Sequence, residues 1–459
     1  MSGSRAGVRR RGPPAPPAVA ADAAAMVPAV RRPAARAAAT KTRAAAADGW
    51  DPLQIFVAGM LLTSLWRVQE IWPVLGTLQL PTLSFLGAGG LLLLDSDPRR
   101  GLRRLPHPVT WLVAALTVLL VATVPGSVYA EGSYNFLQRD HVKTLLLATI
   151  AAASVRSFAD LRRLAGVQVF GGALYAAFAL RASSGMAGDR LSDLLYYDAN
   201  DFGMLMVCTV PLAAYFLAAG RSARARLGAA LAIGLFTLGM VRSGSRAAFV
   251  GFGVLAVYLL LGFRAVSAGR RVAAVLGAAA AIALAGGDAF WAQMRSLLQP
   301  MQDYNWVGNA PDGRMEIWKR GIGYMLDRPF LGVGVGVFPV ADGLLAPQAE
   351  RQRYGLGWRW AAAHNAFVQI GAEAGVTGLL LFLALLGVAL RTSFRIGFGS
   401  RGPPDTSAHA AMGQALTGVL IAYCANGFFL SQAYGVLLYS TLALVVALAS
   451  TCTPRPRRR

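Results

Sequence analysis

Acidic side chains are scarce in this chain: 22 Asp and Glu stand against 44 Lys and Arg, and charged residues of both signs make up only 14% of 459 positions. With 55% hydrophobic residues, there is too little polar surface to keep so much apolar material from water, which excludes a soluble globular protein. Cysteine is scarce too. Cys208, Cys424 and Cys452 are scattered, two of them in apolar runs, and no CxxC occurs. That excludes a disulfide framework and a thiolate zinc site. The four histidines, His107, His141, His364 and His409, lie far apart, and none has metal-ligand spacing. No metal–diphosphate motif of the Asp-x-Asp type stands out. No metal and no cofactor are therefore expected. The ten-residue alternating strands of an outer-membrane barrel are missing as well.

What the chain does have is long apolar runs, several of which approach the roughly 20 residues of a bilayer-spanning helix. The expected fold is all-α: a polytopic integral membrane protein of about 12 transmembrane helices. The spans are placed near 53–67, 80–94, 109–125, 142–155, 164–182, 202–219, 227–241, 247–263, 272–287, 364–390, 411–428 and 434–451. The stretch "IWPVLGTLQLP" reads as a loop bracketed by Pro73 and Pro81. Residues 1–49, rich in Ala, Pro and Arg, lack the apolar variety to build a core and read as a disordered basic tail. Contact of that tail with anionic membrane lipids is one option.

Charge tests the count. With the N-terminus placed inside and the spans alternated, the inside segments carry 29 Lys and Arg against 7 acids, and the rest carry 15 of each. Basic excess in short cytoplasmic loops orients membrane proteins, so the net charge of +22 is an orientation signal and not a nucleic-acid footprint. The expected organisation is then a cytoplasmic tail (1–49), nine helices (50–287), a large periplasmic loop (288–363), three helices (364–452) and a basic cytoplasmic tail (453–459). Both termini are cytoplasmic.

The loop of about 76 residues before the tenth span is long enough to be functional. Within it, "GRMEIWKRGIGYMLD" reads as an amphipathic helix with Met315, Ile317, Trp318, Ile322 and Met325 on one stripe, suited to a membrane surface. "GVGVGVF" lacks the strand-to-helix setting of a phosphate loop and reads as flexible backbone. In "AAHNAFVQIGAEAG", a helix numbered from His364 aligns Phe367, Val368, Gly371, Gly375 and Gly378, with Asn365, Gln369 and Glu373 on an adjoining polar stripe. A glutamate at that depth needs a partner. His364 and Asn365 suit either chemistry or the capping of the helix end. Arg242 and Arg246 flank a Ser-Gly-Ser break on the outer side. Guanidinium groups match phosphate oxygens there, and they also anchor span ends. Asp198, Asn200 and Asp201 open the sixth span as a helix cap. Arg139, Asp140 and His141 at the fourth span read first as capping and anchoring, with Arg139 a further positive charge for a phosphate. "QAERQRYGLGWRWAAAHN" brings Arg351, Arg353, Arg359 and two tryptophans before His364; the membrane interface suits them, as does sugar stacking.

"SRAAFVG", "GRMEIWKRGIGYMLDRPFLGVGVGVFP" and "HNAFVQIGAEAGVTGLLLF", in that order, resemble the O-antigen ligase and polymerase family of bacterial membrane glycosyltransferases, as does "YYDANDFGMLMVCTVPLAAY". The resemblance covers roughly residues 200–390. It implies glycan transfer, without a metal, from an undecaprenyl-diphosphate carrier at the periplasmic face of the inner membrane. The acceptor would be lipid A core, another glycan or a protein, so ligase, polymerase and protein oligosaccharyltransferase stay open. By that resemblance Arg246 binds the diphosphate and Arg314 is the second arginine. His364 activates or orients the acceptor hydroxyl, a task that suits a neutral imidazole. Arg242, Arg139, Asn365 and Trp318 would line the substrates, and Glu373 and Asn200 would support the site. A transporter or flippase for a lipid-linked or anionic substrate is the reading from another class. No internal repeat of the transporter kind is seen.

Overall fold

The computed structural model describes residues 3, 49–182, 196–220, 222–303, 305–307, 312–347, 360–399 and 406–452. Every regular element among them is helical. The helices are α1 (Pro52–Ser64), α2 (Leu80–Leu94), α3 (Pro108–Thr123), α4 (Val142–Ala153), α5 (Phe158–Ala182), α6 (Ala199–Ala219), α7 (Ala223–Ser243), α8 (Arg246–Leu261) and α9 (Ala268–Ala285). In the long loop, among the described residues, follow α10 (Asp288–Arg295), α11 (Arg314–Asp327) and α12 (Phe338–Leu345), and then come α13 (Ala366–Phe398), α14 (Thr406–Gly427) and α15 (Val436–Cys452). Each expected span falls on one of these helices. Among the described residues, seven helices are long and apolar enough to cross a membrane, with shorter apolar ones beside them. The chain is a polytopic all-α membrane protein.

Burial separates the centre from the rim. The apolar window of α6 is 78% buried and that of α14 is 67% buried, whereas that of α9 is 6% buried. The central helices are packed on all sides; α9 shows nearly its whole apolar surface outward, as a lipid-facing helix does. At one end of the bundle, loops are tied by ion pairs. Arg100 bridges Asp51 (2.5 Å) and Asp95 (2.7 Å), Arg156 bridges Asp51 (2.7 Å) and Asp160 (2.8 Å), and Arg163 adds a bond to Asp160 (2.6 Å). The start of α1, the end of α2 and the start of α5 meet there. The starts of α6, α8, α13 and α15 meet at the opposite end, where the site lies.

Four local expectations change. Pro73 opens a short helix, Pro73–Thr77, and Pro81 sits in the first turn of α2. Proline lacks only an N–H that a first turn leaves unpaired anyway, so both prolines start helices and do not frame a loop. Residues Leu137–His141 form a π-helical turn inside one continuous helix from Ala130 to Ala153. Arg139, Asp140 and His141 are therefore not a cap: Arg139 is exposed, and His141 is buried with its Nε2 3.3 Å from the Thr117 hydroxyl. The tenth span begins at Ala366, with His364 ahead of it in the left-handed region (φ 47°). The face counted from His364 is thus lost at its first residue. It is broken again at Gly375, whose φ of 71° interrupts α13.

The fourth change concerns "GVGVGVF", which is held fast. Gly332, Gly334 and Gly336 all have positive φ, while Val333, Val335 and Val337 are buried. The strap runs along the break in α13: Val333 N–H donates to Ala372 O (2.9 Å) and Gly334 N–H to Glu373 O (3.1 Å). A Cβ on Gly332 would fall 2.4 Å from the Ala372 carbonyl oxygen, and one on Gly375 would fall 2.3 Å from the Pro329 carbonyl oxygen. Only glycine permits that backbone-to-backbone approach. The residues 1–2, 4–48, 348–359 and 453–459, which include both expected tails and Arg351, Arg353 and Arg359, lie outside the described residues.

Candidate functional site

Arg246 owes its place to the turn before it. Gly244 ends α7 in the left-handed region (φ 58°), and the Ser245 hydroxyl caps α8 by accepting from Ala248 N–H at 3.2 Å. Ser245 in turn donates to the Asn200 carboxamide oxygen at 2.9 Å. Asn200, in the first turn of α6, so fixes the residue that sets Arg246 at the first position of α8. Asp198 caps α6 through Asn200 N–H and Asp201 N–H, both at 2.7 Å.

The Arg246 guanidinium reaches into the long loop. It donates to the Ser296 hydroxyl (2.9 Å) and to the Asp303 carboxylate. Burial pushes the Asp303 carboxyl up, but the backbone and side-chain N–H groups of Asn305 and the Arg246 guanidinium outweigh it and hold Asp303 below the usual carboxylate range. Arg246 and Arg314 line one small cavity of about 20 Å³, with Asn305, Trp306 and Phe429 in its wall. Arg314 stands at the first position of α11. Two arginines from distant parts of the chain thus line one cavity. Arg242 lies in the last turn of α7 and Arg139 on the π-helical turn, and neither lines this cavity.

His364 is set by its neighbours. Its N–H donates to the Ser431 hydroxyl at 2.8 Å, and the carbonyl before it, Ala363 O, accepts from Trp318 Nε1 at 3.0 Å. Trp318 is buried between Trp306 and Phe428, with ring centroids 5.6 and 5.3 Å away. It holds the His364 segment and presents no open face to a substrate. The buried pair Arg320–Asp342 (2.7 Å) adds a second hold, since Asp342 also accepts from Ala361 N–H at 3.2 Å. The expected stripe of α11 is divided. Ile317, Trp318, Gly321 and Tyr324 face inward, where Gly321 lets Val368 of α13 come close, while Ile322 stays 43% exposed.

The polar stripe of α13 is spent on backbone groups. Asn365 Oδ1 caps the helix through Phe367 N–H (2.9 Å) and Val368 N–H (3.1 Å). Gln369 accepts from Ala433 N–H at 3.2 Å. Glu373, 1% exposed, accepts from Gly336 N–H and Phe338 N–H, both at 3.0 Å. Glu373 therefore pins the glycine strap to the helix. Among the described residues, no three of His, Cys, Asp and Glu gather as a metal-binding set.

The comparison that bears on this site covers its heart: residues 205–383 match the family model described as O-antigen ligase. This stretch is O-antigen ligase-like. No curated protein matches the chain. The family implies ligase- or polymerase-type glycan transfer. The O-antigen ligase-like stretch runs from α6 into α13 and contains Arg246, Arg314 and His364. Asn200 and Ser431, which hold two of those residues, lie outside it, Asn200 just before its start and Ser431 well beyond its end. Sequence reading missed Asp303, Asn305, Trp306, Phe429 and Ser431.

Proposed function

We propose that the protein transfers a glycan from an undecaprenyl-diphosphate carrier to an acceptor hydroxyl at the periplasmic face of the bacterial inner membrane, with no metal required. The observation that carries this reading is the convergence of Arg246 and Arg314 on one cavity, next to the tryptophan pair that holds the segment bearing His364. In the reaction the acceptor oxygen bonds to the anomeric carbon of the donor sugar as the bond from that carbon to the diphosphate oxygen breaks. The acceptor proton passes to the His364 imidazole. The negative charge on the leaving diphosphate is met by Arg246 and Arg314, with Arg242 a turn away. Asn200, Ser245, Trp318, Asn365 and Glu373 position this machinery and do not touch the reacting atoms.

The test is a reconstituted transfer assay with purified chain and undecaprenyl-diphosphate glycan, in EDTA, against lipid A core, a second lipid-linked glycan and a protein acceptor. Arg246→Ala and His364→Ala should each lower transfer by roughly 100-fold or more. Transfer undiminished in both variants, or abolished by EDTA in the wild type, sinks the proposal. Carrier movement across the membrane without product would point instead to transport.

A further inference from the structure

The outward side of α11 carries an apolar face of its own, distinct from the side that packs on the His364 segment. Ile322, Leu326 and Phe330 follow at four-residue steps and are 43%, 63% and 75% exposed, and Leu331 beside them is 39% exposed. The nearest charges mark the border of this face. Lys319 pairs with Glu316 at 2.6 Å, one turn before Ile322. Asp327 is exposed, and Arg328 donates to Gly126 O at 3.2 Å. A run of large apolar side chains bared together in this way marks a contact surface and not a face made for water.

This face runs into the lipid side of a spanning helix. Pro329 and Phe330 form a groove of about 500 Å³ with Val376, Thr377, Leu380 and Leu381 of α13, apolar apart from the Thr377 hydroxyl. Leu380, Leu383, Ala384 and Gly387 are the exposed positions that continue down α13, a single stripe at helical spacing. No charged residue occurs from Ala374 to Leu390, so lipid covers that stripe. Phe330 stands against its first turns. Backbone groups at such a depth need partners. Pro329 has no N–H, and the Arg328 and Pro329 carbonyls accept from Gly332 N–H (2.9 Å) and Thr377 N–H (3.4 Å). We infer that Leu326, Phe330 and Leu331 are seated in the bilayer leaflet at the site's end of the bundle, with an acyl chain in the groove between Phe330 and Leu380. The occupant is lipid because the groove opens onto a stripe that lipid already covers. α11 is then held at its last turn by the bilayer while it carries Arg314 at its first position, and the leaflet helps to fix the level of the arginine cavity. Lipid contact here is independent of what that cavity binds.

The test uses the full chain in phosphatidylethanolamine–phosphatidylglycerol vesicles, with Cys424→Ala and Cys452→Ser to remove the less buried thiols. A nitroxide is attached through Phe330→Cys, through Leu326→Cys or, as a water-facing reference, through Asp312→Cys at an exposed position before α11. Oxygen concentrates in lipid and a charge-neutral nickel chelate stays in water. Oxygen should collide with the labels at 326 and 330 more often than the chelate does, and the order should reverse at 312. Collisions dominated by the chelate at 326 and 330 would put the face in water. Labels sheltered from both reagents would put it under protein, a second copy of this chain included. Either result overturns the inference. Phe330→Ser, in the otherwise native chain, decides by a second route. Loss of a ring buried in lipid should speed amide exchange in Arg314–Asp327 by roughly tenfold or more in the vesicles. A change of about twofold or less, as for a side chain that faces water, overturns the inference as well.

Discussion

Asp303 is the sharpest handle on the arginine cavity. Its Oδ2 is engaged by Arg246, and its Oδ1 accepts from Asn305 N–H (3.0 Å) and Nδ2 (2.7 Å). Asp303→Asn keeps an oxygen for Asn305 and turns an amide NH₂ toward Arg246, so the loop turn survives while the guanidinium loses its anion. If Arg246 binds the donor diphosphate, Asp303 competes with the donor for it, and removing the competitor must favour the donor. The Arg246 side chain is 23% exposed and that of Asp303 is 6% exposed, so the pair is screened only in part. A hydrogen bond to a charged group contributes about 1.5 kcal/mol net at the low end, and the donor KM should fall roughly tenfold. Initial rates against donor concentration, with a melting curve for each variant, measure this. A donor KM that is unchanged or higher in a variant of normal melting temperature would refute the competition. The pH dependence carries the same sign. The folded Asp303 carboxyl is depressed, so the pair is complete above the ordinary carboxylate value of about 3.9 and is lost only as pH falls through the lower folded value. The wild-type donor KM should show no step from this pair between neutral pH and about 5, and the variant should lack the acid transition altogether.

Three further outcomes follow from the same contacts. Ser245→Ala removes the α8 cap and the bond to Asn200; it should cost about 1 kcal/mol of stability and lower turnover more than it raises donor KM, read from thermal unfolding and rates. Glu373→Gln keeps one acceptor where two backbone N–H groups point; hydrogen exchange at residues 332–338 should speed up by roughly tenfold, the cost of one unpaired buried donor. Trp318→Phe keeps the ring packing but loses the bond to Ala363 O; turnover should fall with substrate KM little changed, whereas a KM rise alone would restore Trp318 to substrate contact.

The sequence by itself determined that this is a helical membrane protein, because the length and apolarity of each run are properties of consecutive residues. It placed every span on what proved to be a helix, and it carried the Arg246, Arg314 and His364 motifs. Helix ends were less legible. Pro73, Pro81 and the 137–141 turn were misread because the same residues start, continue or end a helix according to what packs on them. Tertiary structure alone decided the rest. That Arg314 reaches the Arg246 cavity depends on how a long loop folds back, which no local period encodes. Asp303, Phe429 and Ser431 carry no motif; each matters through a partner some 60 residues or more away in sequence. Glu373 read as a polar residue in a span, and only the strap of Gly332, Gly334 and Gly336 lying against the break at Gly375 shows which backbone groups it serves. Burial, partner and cavity are relations between segments, and they exist only once the helices have packed.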